Sequence, residues 1–336
     1  MAKKIINPGA DYVEEAIKGF LLSNWRHYER GEDPEEKIII YKQRKRDTVA
    51  LLIGGGSGHE PIYTYLLGPG MGDASCAGNI FASPNPQLIY HAAQQINNGR
   101  GVLMVYGNYA GDNLNFDMAE ELCEFEDIPT AHIRVMDDIS IKNPEDRRGI
   151  AGLLFYVHMA GALCGSGLPL EKIVEVMKRV QSNIASLGVA LSSCTLPGQT
   201  RPIFDLGEDE MEYGMGLHGE EGIERTKFAT AHEIVQRIYN ELQKHGNYQA
   251  GEEIALLING LGSTTLMELE TVCLEVSTML AADGIKVVDT RVGTWGTSQE
   301  MAGFSVSFFR LDEELKQYYK MPYSSPYYYR EELTDL

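Results

Sequence analysis

Val49-Ala50-Leu51-Leu52-Ile53-Gly54-Gly55-Gly56-Ser57-Gly58-His59-Glu60-Pro61 joins a short apolar run to a run of glycines that ends at a histidine. The apolar part, from Thr48 to Ile53, reads as a buried strand of the kind found in parallel sheets. Glycines give access to backbone conformations closed to other residues, and they let main-chain amides approach a ligand closely. A glycine-rich turn after a strand is a common cradle for a polar or anionic ligand. A purely structural tight turn is the plainer alternative. The Gly54–Pro61 run lacks both P-loop form and the GxGxxG spacing, and no Gly-Lys dipeptide occurs in the chain. Neither the Walker nor the dinucleotide mechanism is supported.

Working outward, helical and strand-like segments alternate. Asn85–Asn97 reads as a helix after Ser83-Pro84, Val102–Tyr106 as a strand ending at Gly107, Phe116–Phe125 as a helix and Thr130–Met136 as a strand. This rhythm predicts an α/β layered domain with a largely parallel sheet. An amphipathic helix opens the chain, with Val13, Ile17, Phe20 and Leu21 at helical spacing and Asp11 as its cap. Arg30–Glu36 reads as a loop. Farther on, Arg147–Cys164 and Leu168–Ile184 read as helices and Leu187–Leu191 as a strand. A helix Ala231–His245, and a second that follows the turn Asn259–Thr264 and runs through about Ala282, then alternate with strands Ile254–Ile258 and Gly303–Phe309. A chain of 336 residues is long for one core, so two domains are expected, 1–190 and 191–336, each a layered α/β sheet flanked by helices. The tail holds Tyr318, Tyr319, Tyr323, Tyr327, Tyr328 and Tyr329, which read as packing or interface material.

The net charge of -19 argues against binding nucleic acid or anionic membrane through the bulk surface. It also disfavours unaided capture of a polyanion such as ATP. Five dispersed cysteines without a CxxC pair indicate neither a zinc knuckle nor a disulfide framework, and point to reduced thiols in a cytoplasmic protein. The stretch Met1-Ala2-Lys3-Lys4-Ile5-Ile6-Asn7-Pro8 does not read as a signal peptide, and no apolar run reaches membrane-spanning length.

A second glycine-rich run is Gly214-Met215-Gly216-Leu217-His218-Gly219-Glu220-Glu221-Gly222. With so little bulk beside it, the His218 imidazole is open to something small. A neutral imidazole nitrogen can add to a ketone or aldehyde and pin it as a hemiaminal; a histidine hydrogen-bonded within a turn is the alternative. Asp112, in Tyr106-Gly107-Asn108-Tyr109-Ala110-Gly111-Asp112, follows a strand and precedes a helix. That position suits a helix N-cap. It equally suits a carboxylate at the carboxyl end of a parallel strand, where α/β sheets bind ligands. Ser83, in Ile80-Phe81-Ala82-Ser83-Pro84, offers a hydroxyl, or merely starts a helix. His59 with Asp112 could then work as acid and base on a hydroxyl proton.

Together, Gly54–Pro61, Phe81-Ala82-Ser83-Pro84, Asn108–Asp112, Arg147-Arg148-Gly149 and Gly216–Glu220 resemble the substrate-binding subunit of dihydroxyacetone kinases, DhaK, over nearly the whole chain. The resemblance implies a two-domain α/β fold and a homodimer. It implies that His218 binds dihydroxyacetone or a similar short ketose covalently, and that Gly55, Gly56, Ser57, Gly58, His59, Ser83 and Gly107 surround the substrate. It makes Asp112 the base for the terminal hydroxyl, assisted by His59. The nucleotide, ATP or ADP with magnesium, is then expected on a separate DhaL-type subunit, with no cofactor or metal on this chain. One departure stands out: Gly107 occupies the place of a family lysine that contacts substrate oxygen, and Ala110 that of a threonine. A larger ketose using the space at Gly107 is one implication. The other is a paralogue that senses dihydroxyacetone and coactivates a transcription regulator.

Overall fold

The computed structural model describes residues 3–7 and 11–334; Met1, Ala2 and Pro8, part of the stretch read above as no signal peptide, lie outside them. In chain order the elements begin α1 (Tyr12–Ser23), β1 (Tyr28–Arg30), β2 (Ile38–Tyr41), β3 (Ala50–Ser57), β4 (Ala74–Ile80), α2 (Pro86–Ile96), β5 (Val102–Gly107), α3 (Ala110–Glu124) and β6 (Thr130–Val135). Then follow α4 (Leu153–Gly165), α5 (Leu170–Ser182), β7 (Ile184–Ala190), β8 (Glu210–Tyr213), β9 (Glu224–Lys227), α6 (Ala231–Gly246) and β10 (Glu253–Gly260). The remainder is α7 (Leu266–Ala282), β11 (Lys286–Gly293), β12 (Gly303–Arg310), α8 (Glu313–Tyr319), β13 (Tyr323–Ser324) and β14 (Tyr329–Arg330).

These elements form two compact units. One holds Lys4–Val135, Phe155–Val180 and Gln317–Leu336, and the other holds Met136–Leu154 and Gln181–Lys316. A single boundary after residue 190 does not describe this arrangement, because pairing between distant segments sets the units. Strand β7 is in register with β12, Ile184 opposite Phe309 and Ala190 opposite Gly303, which groups it with the residues that follow it. The tail returns to the first unit, where the Ser324 amide donates to the Pro69 carbonyl at 2.9 Å.

In the first unit the strand order is β1-β2-β4-β3-β5-β6. Strand β3 is flanked by parallel β4 and β5, β6 continues parallel to β5, β2 pairs antiparallel with β4, and the edge strand β1 pairs antiparallel with β2. Leu52, Met104, Ile89, Ala92 and Phe116 share one core between the sheet and helices α2 and α3. Helix α2 starts where the sequence places it: the Asn85 side chain accepts from the Leu88 amide at 2.9 Å, and Pro86 opens the first turn. The glycine run differs from the expected turn. Strand β3 continues through Gly54, Gly55 and Gly56 to Ser57, and all eight of its residues are buried. The glycines are needed for packing, since a Cβ at Gly54 would stand 2.6 Å from Cys76 Sγ and 3.0 Å from Phe116 Cζ.

In the second unit the order is β11-β10-β12-β7-β8-β9, with only β10 and β11 parallel. Helices α6 and α7 cover this sheet through Ile234, Ile238, Leu269 and Val276, packed with Leu187, Leu256, Val306 and Phe308. Each helix opens with a reciprocal cap, Thr230 with Glu233 and Thr265 with Glu268. The helix expected from Arg147 begins only at Leu153. The Asp137 carboxylate accepts from the amides of Ile150 at 2.8 Å and Gly152 at 2.9 Å and holds that approach out of helical form. Among the described residues no helix is long and apolar enough to cross a membrane.

Candidate functional site

The carboxyl ends of β3, β4 and β5 bring Gly55, Gly56, Ser57, Gly58, His59, Ser83, Gly107 and Asp112 to one end of the first sheet. That is the end at which open α/β sheets receive ligands. Ser57 Oγ donates to the Gly78 carbonyl at 2.8 Å, tying β3 to β4. The Gly58 amide donates to both carboxylate oxygens of Glu60, at 3.0 and 3.1 Å, and burial raises the Glu60 carboxyl above its ordinary range. His59 is 1% exposed. Its ring stacks on Phe81, with centroids 4.8 Å apart and planes at 10°, and meets Tyr63 edge-on at 5.9 Å. Both aromatic neighbours have left-handed backbones, Phe81 at φ 56° and Tyr63 at φ 67°. Such angles are rare for bulky residues.

The Ser83 loop touches the glycine strand through backbone, since a Cβ on Gly56 would lie 2.9 Å from the Ala82 nitrogen. Ser83 Oγ donates to the Pro84 carbonyl at 3.1 Å. Gly107 closes β5, and its neighbourhood is occupied: a Cβ there would be 2.5 Å from the Tyr63 hydroxyl and 3.0 Å from the Tyr109 ring. The N-cap residue of α3 is Tyr109, not Asp112. Asp112 is buried in the helix's first turn. Asn113 Nδ2 donates to Asn108 Oδ1 at 2.7 Å and pins the approach to that turn.

His218 belongs to the second unit, in a tight turn closed by the Gly216 amide on the Glu220 carbonyl at 3.0 Å. Gly219 supplies the left-handed residue of the turn at φ 84°. Glu220 Oε2 accepts from the His218 amide at 3.0 Å, and Oε1 lies 2.9 Å from His218 Nδ1. Burial opposes charge on Glu220, but the hydrogen bond and charge of His218, with Arg148 nearby, outweigh it and hold the carboxyl at about 2. An ionised carboxylate only accepts, so in the neutral ring it places the histidine proton on Nδ1 and leaves the lone pair on Nε2. Arg148 fastens the start of the loop, donating to the Gly214 carbonyl at 2.7 Å, to Ser140 Oγ at 2.8 Å and to the buried Asp138 carboxylate at 2.9 Å. Glu220, Arg148, Tyr63 and Phe81 therefore join the residues chosen from sequence. Glu220 and Arg148 stand inside the motifs quoted above, with a carboxylate two places after the histidine as the readable signal. Among the described residues no three histidine, cysteine or acidic side chains group as metal ligands.

The Dak1 domain family matches residues 18–327. The dihydroxyacetone-binding subunit DhaK of PTS-dependent dihydroxyacetone kinase 2 from Listeria innocua is 38% identical over 97% of this chain and 99% of its own. An L-erythrulose kinase of Pectobacterium atrosepticum is 37% identical over 96% of this chain, which spans 55% of that protein. The solved structure of the dihydroxyacetone kinase operon co-activator Dha-DhaQ superposes with a TM-score of 0.90 at 31% identity, over 96% of this chain and 100% of its own. With the family match running through both units, this chain belongs to the Dak1 family, the family of the DhaK subunits.

Proposed function

We propose that this chain is the substrate-binding subunit of a kinase for dihydroxyacetone or a closely related short ketose. The Glu220 carboxylate on His218 Nδ1 carries this reading, because it prepares Nε2 as a nucleophile. Nε2 adds to the ketone carbon; the carbonyl π pair moves to oxygen, which takes a proton, and a hemiaminal results. The positive charge gained by the ring is met by Glu220. Asp112, assisted by His59, takes the proton of the terminal hydroxyl as its oxygen attacks the phosphorus of a nucleotide, and ADP leaves. The nucleotide and its magnesium belong to a separate DhaL-type subunit. Support for that division is the acidic net charge of -19 and the lack of a Walker lysine after β3. A cytoplasmic homodimer completes the reading.

The test mixes the purified chain with a DhaL subunit, magnesium, ATP and dihydroxyacetone, and follows triose phosphate. Turnover, with a ketose adduct on the intact chain that disappears in His218→Ala, is expected. An adduct that persists in His218→Ala would remove the reading. A second reading, a ligand-sensing coactivator of a transcription regulator, is favoured by Gly107, which brings no charged side chain to the site. Adduct formation without turnover would select it.

A further inference from the structure

The place beside Gly107 is not empty, and what fills it points to the group that reads the substrate there. Tyr63, in the turn that follows the glycine strand, has a left-handed backbone, φ 67°, although its side chain is large. Such conformations persist where the surroundings over-determine them, and they concentrate at functional sites. The ring passes beneath Gly55, whose added Cβ would stand 2.9 Å from Tyr63 Cγ. It meets the edge of His59 at 5.9 Å and ends with its hydroxyl beside Gly107. One side chain thus links the three backbone positions that flank the expected ligand: the glycine strand, His59 and the end of β5. A methyl group at residue 107 would already collide with that hydroxyl, and the Tyr109 ring closes the other side at 3.0 Å.

We propose that the Tyr63 hydroxyl is the substrate-recognition group at the Gly107 end of the site, and that Tyr63 and Tyr109 together restrict the ligand there to an uncharged three-carbon ketose. The inference rests on the ketose-binding function above and deepens it. A phenol hydroxyl both donates and accepts, so it suits a neutral CH2OH arm. It offers no fixed charge to a phosphate or carboxylate. The volume released by the missing side chain at 107 is taken by tyrosine, so a fourth carbon gains no room on this side. Tyr63 is assigned a binding role only; the proton chemistry stays with Asp112 and His59.

The test is calorimetric titration of the full chain with dihydroxyacetone, hydroxyacetone (one terminal hydroxyl fewer) and L-erythrulose, with the His218 adduct followed by intact mass. Tyr63→Phe keeps the ring and removes one hydrogen bond. It is expected to lower the preference for dihydroxyacetone over hydroxyacetone about three- to tenfold. Tyr63→Ala is expected to shift the preference toward L-erythrulose by about tenfold or more, roughly the discrimination one carbon's worth of pocket provides. Equal losses for all three ligands in both variants would make Tyr63 a packing residue and overturn the inference, as would unchanged ratios. A wild-type chain that binds none of the ketoses and forms no His218 adduct would instead defeat the underlying function. A wild-type adduct with unaltered ratios in the variants would defeat this inference alone.

Discussion

A single carboxylate grips His218 at both ends: Glu220 Oε2 accepts its backbone amide at 3.0 Å, and Oε1 lies 2.9 Å from ring Nδ1. Glu220→Gln removes the charge and permits an amide donor to face Nδ1, which would move the ring proton to Nε2 and remove the nucleophilic lone pair. The expected result is a ketose affinity about 10- to 100-fold lower, the range for losing a hydrogen bond to a charged group. Adduct yield by intact mass across a ketose titration checks it. Wild-type yield in the variant would contradict the orienting role.

Gly216 makes room for that carboxylate. A Cβ at 216 would overlap Glu220 Oε2 and stand 2.6 Å from Arg148 Nη1. Gly216→Ala is expected to abolish the adduct while costing about 1–3 kcal/mol of stability, as overpacking does. Urea unfolding beside the adduct measurement separates a displaced site from a chain that no longer folds.

Arg148 and Asp138 form a buried pair, Nη2 to Oδ2 at 2.8 Å, and the same guanidinium holds the Gly214 carbonyl. Arg148→Met would strand a carboxylate whose burial already raises it above the ordinary range. The expected destabilisation is about 3–5 kcal/mol. Adding Asp138→Asn should recover part of it. Denaturation of the single and double variants gives the answer, and equal stability of the Arg148→Met variant and wild type would refute the pairing argument.

Burial raises the carboxyls of Asp73 and Asp137 from 3.8 to about 6 each; the Leu51 amide and the charges of Arg44 and Lys45 offset it in part at Asp73, and the Ser186 and Ile150 bonds do so at Asp137. Their folded values lie above their unfolded ones, so between pH 4 and 6 the folded chain binds protons that the unfolded chain has released. Their contribution to stability is therefore greatest below this window and is lost as pH rises through it. Asp73→Asn should flatten the decline by about 1–3 kcal/mol. Urea midpoints at several pH values across the window measure both slopes; parallel slopes would exclude Asp73 as a source. Glu220 works in the opposite sense, since its carboxyl is lowered from 4.5 to about 2, and its contribution fades only as pH falls through that lower range.

Much of this architecture is readable because local signals agree with the final packing. The apolar runs at β3, β5, β10 and β12 are buried strands, and Asn85-Pro86 starts a helix as its residue types dictate. Strand β4, Ala-Ser-Cys-Ala-Gly-Asn-Ile, carries mostly small residues and no alternation. Strand β11 is half-exposed throughout most of its length, so its sequence holds no apolar run to read. The glycines of β3 read as a turn because their need is close packing against Cys76 and Phe116, which only the folded chain brings near. Among the candidate residues, the two histidines and Asp112 stand out by their loops. Tyr63 and Phe81 do not, since their importance lies in a left-handed backbone that no residue pattern marks for aromatics.

The first unit is assembled from three separated stretches, and the last of them includes Ser324, whose amide meets Pro69. On a ribosome, Pro69 emerges 255 residues before that partner is made. At about 5–20 residues per second, the gap is roughly ten seconds to a minute. During that interval the Gly68–Pro69 corner lacks the strand that finishes it. The second unit waits almost as long, because β12, which joins β7 to β10, is itself made shortly before Ser324; vectorial synthesis thus leaves the closing strand of each unit to the last stretch of translation.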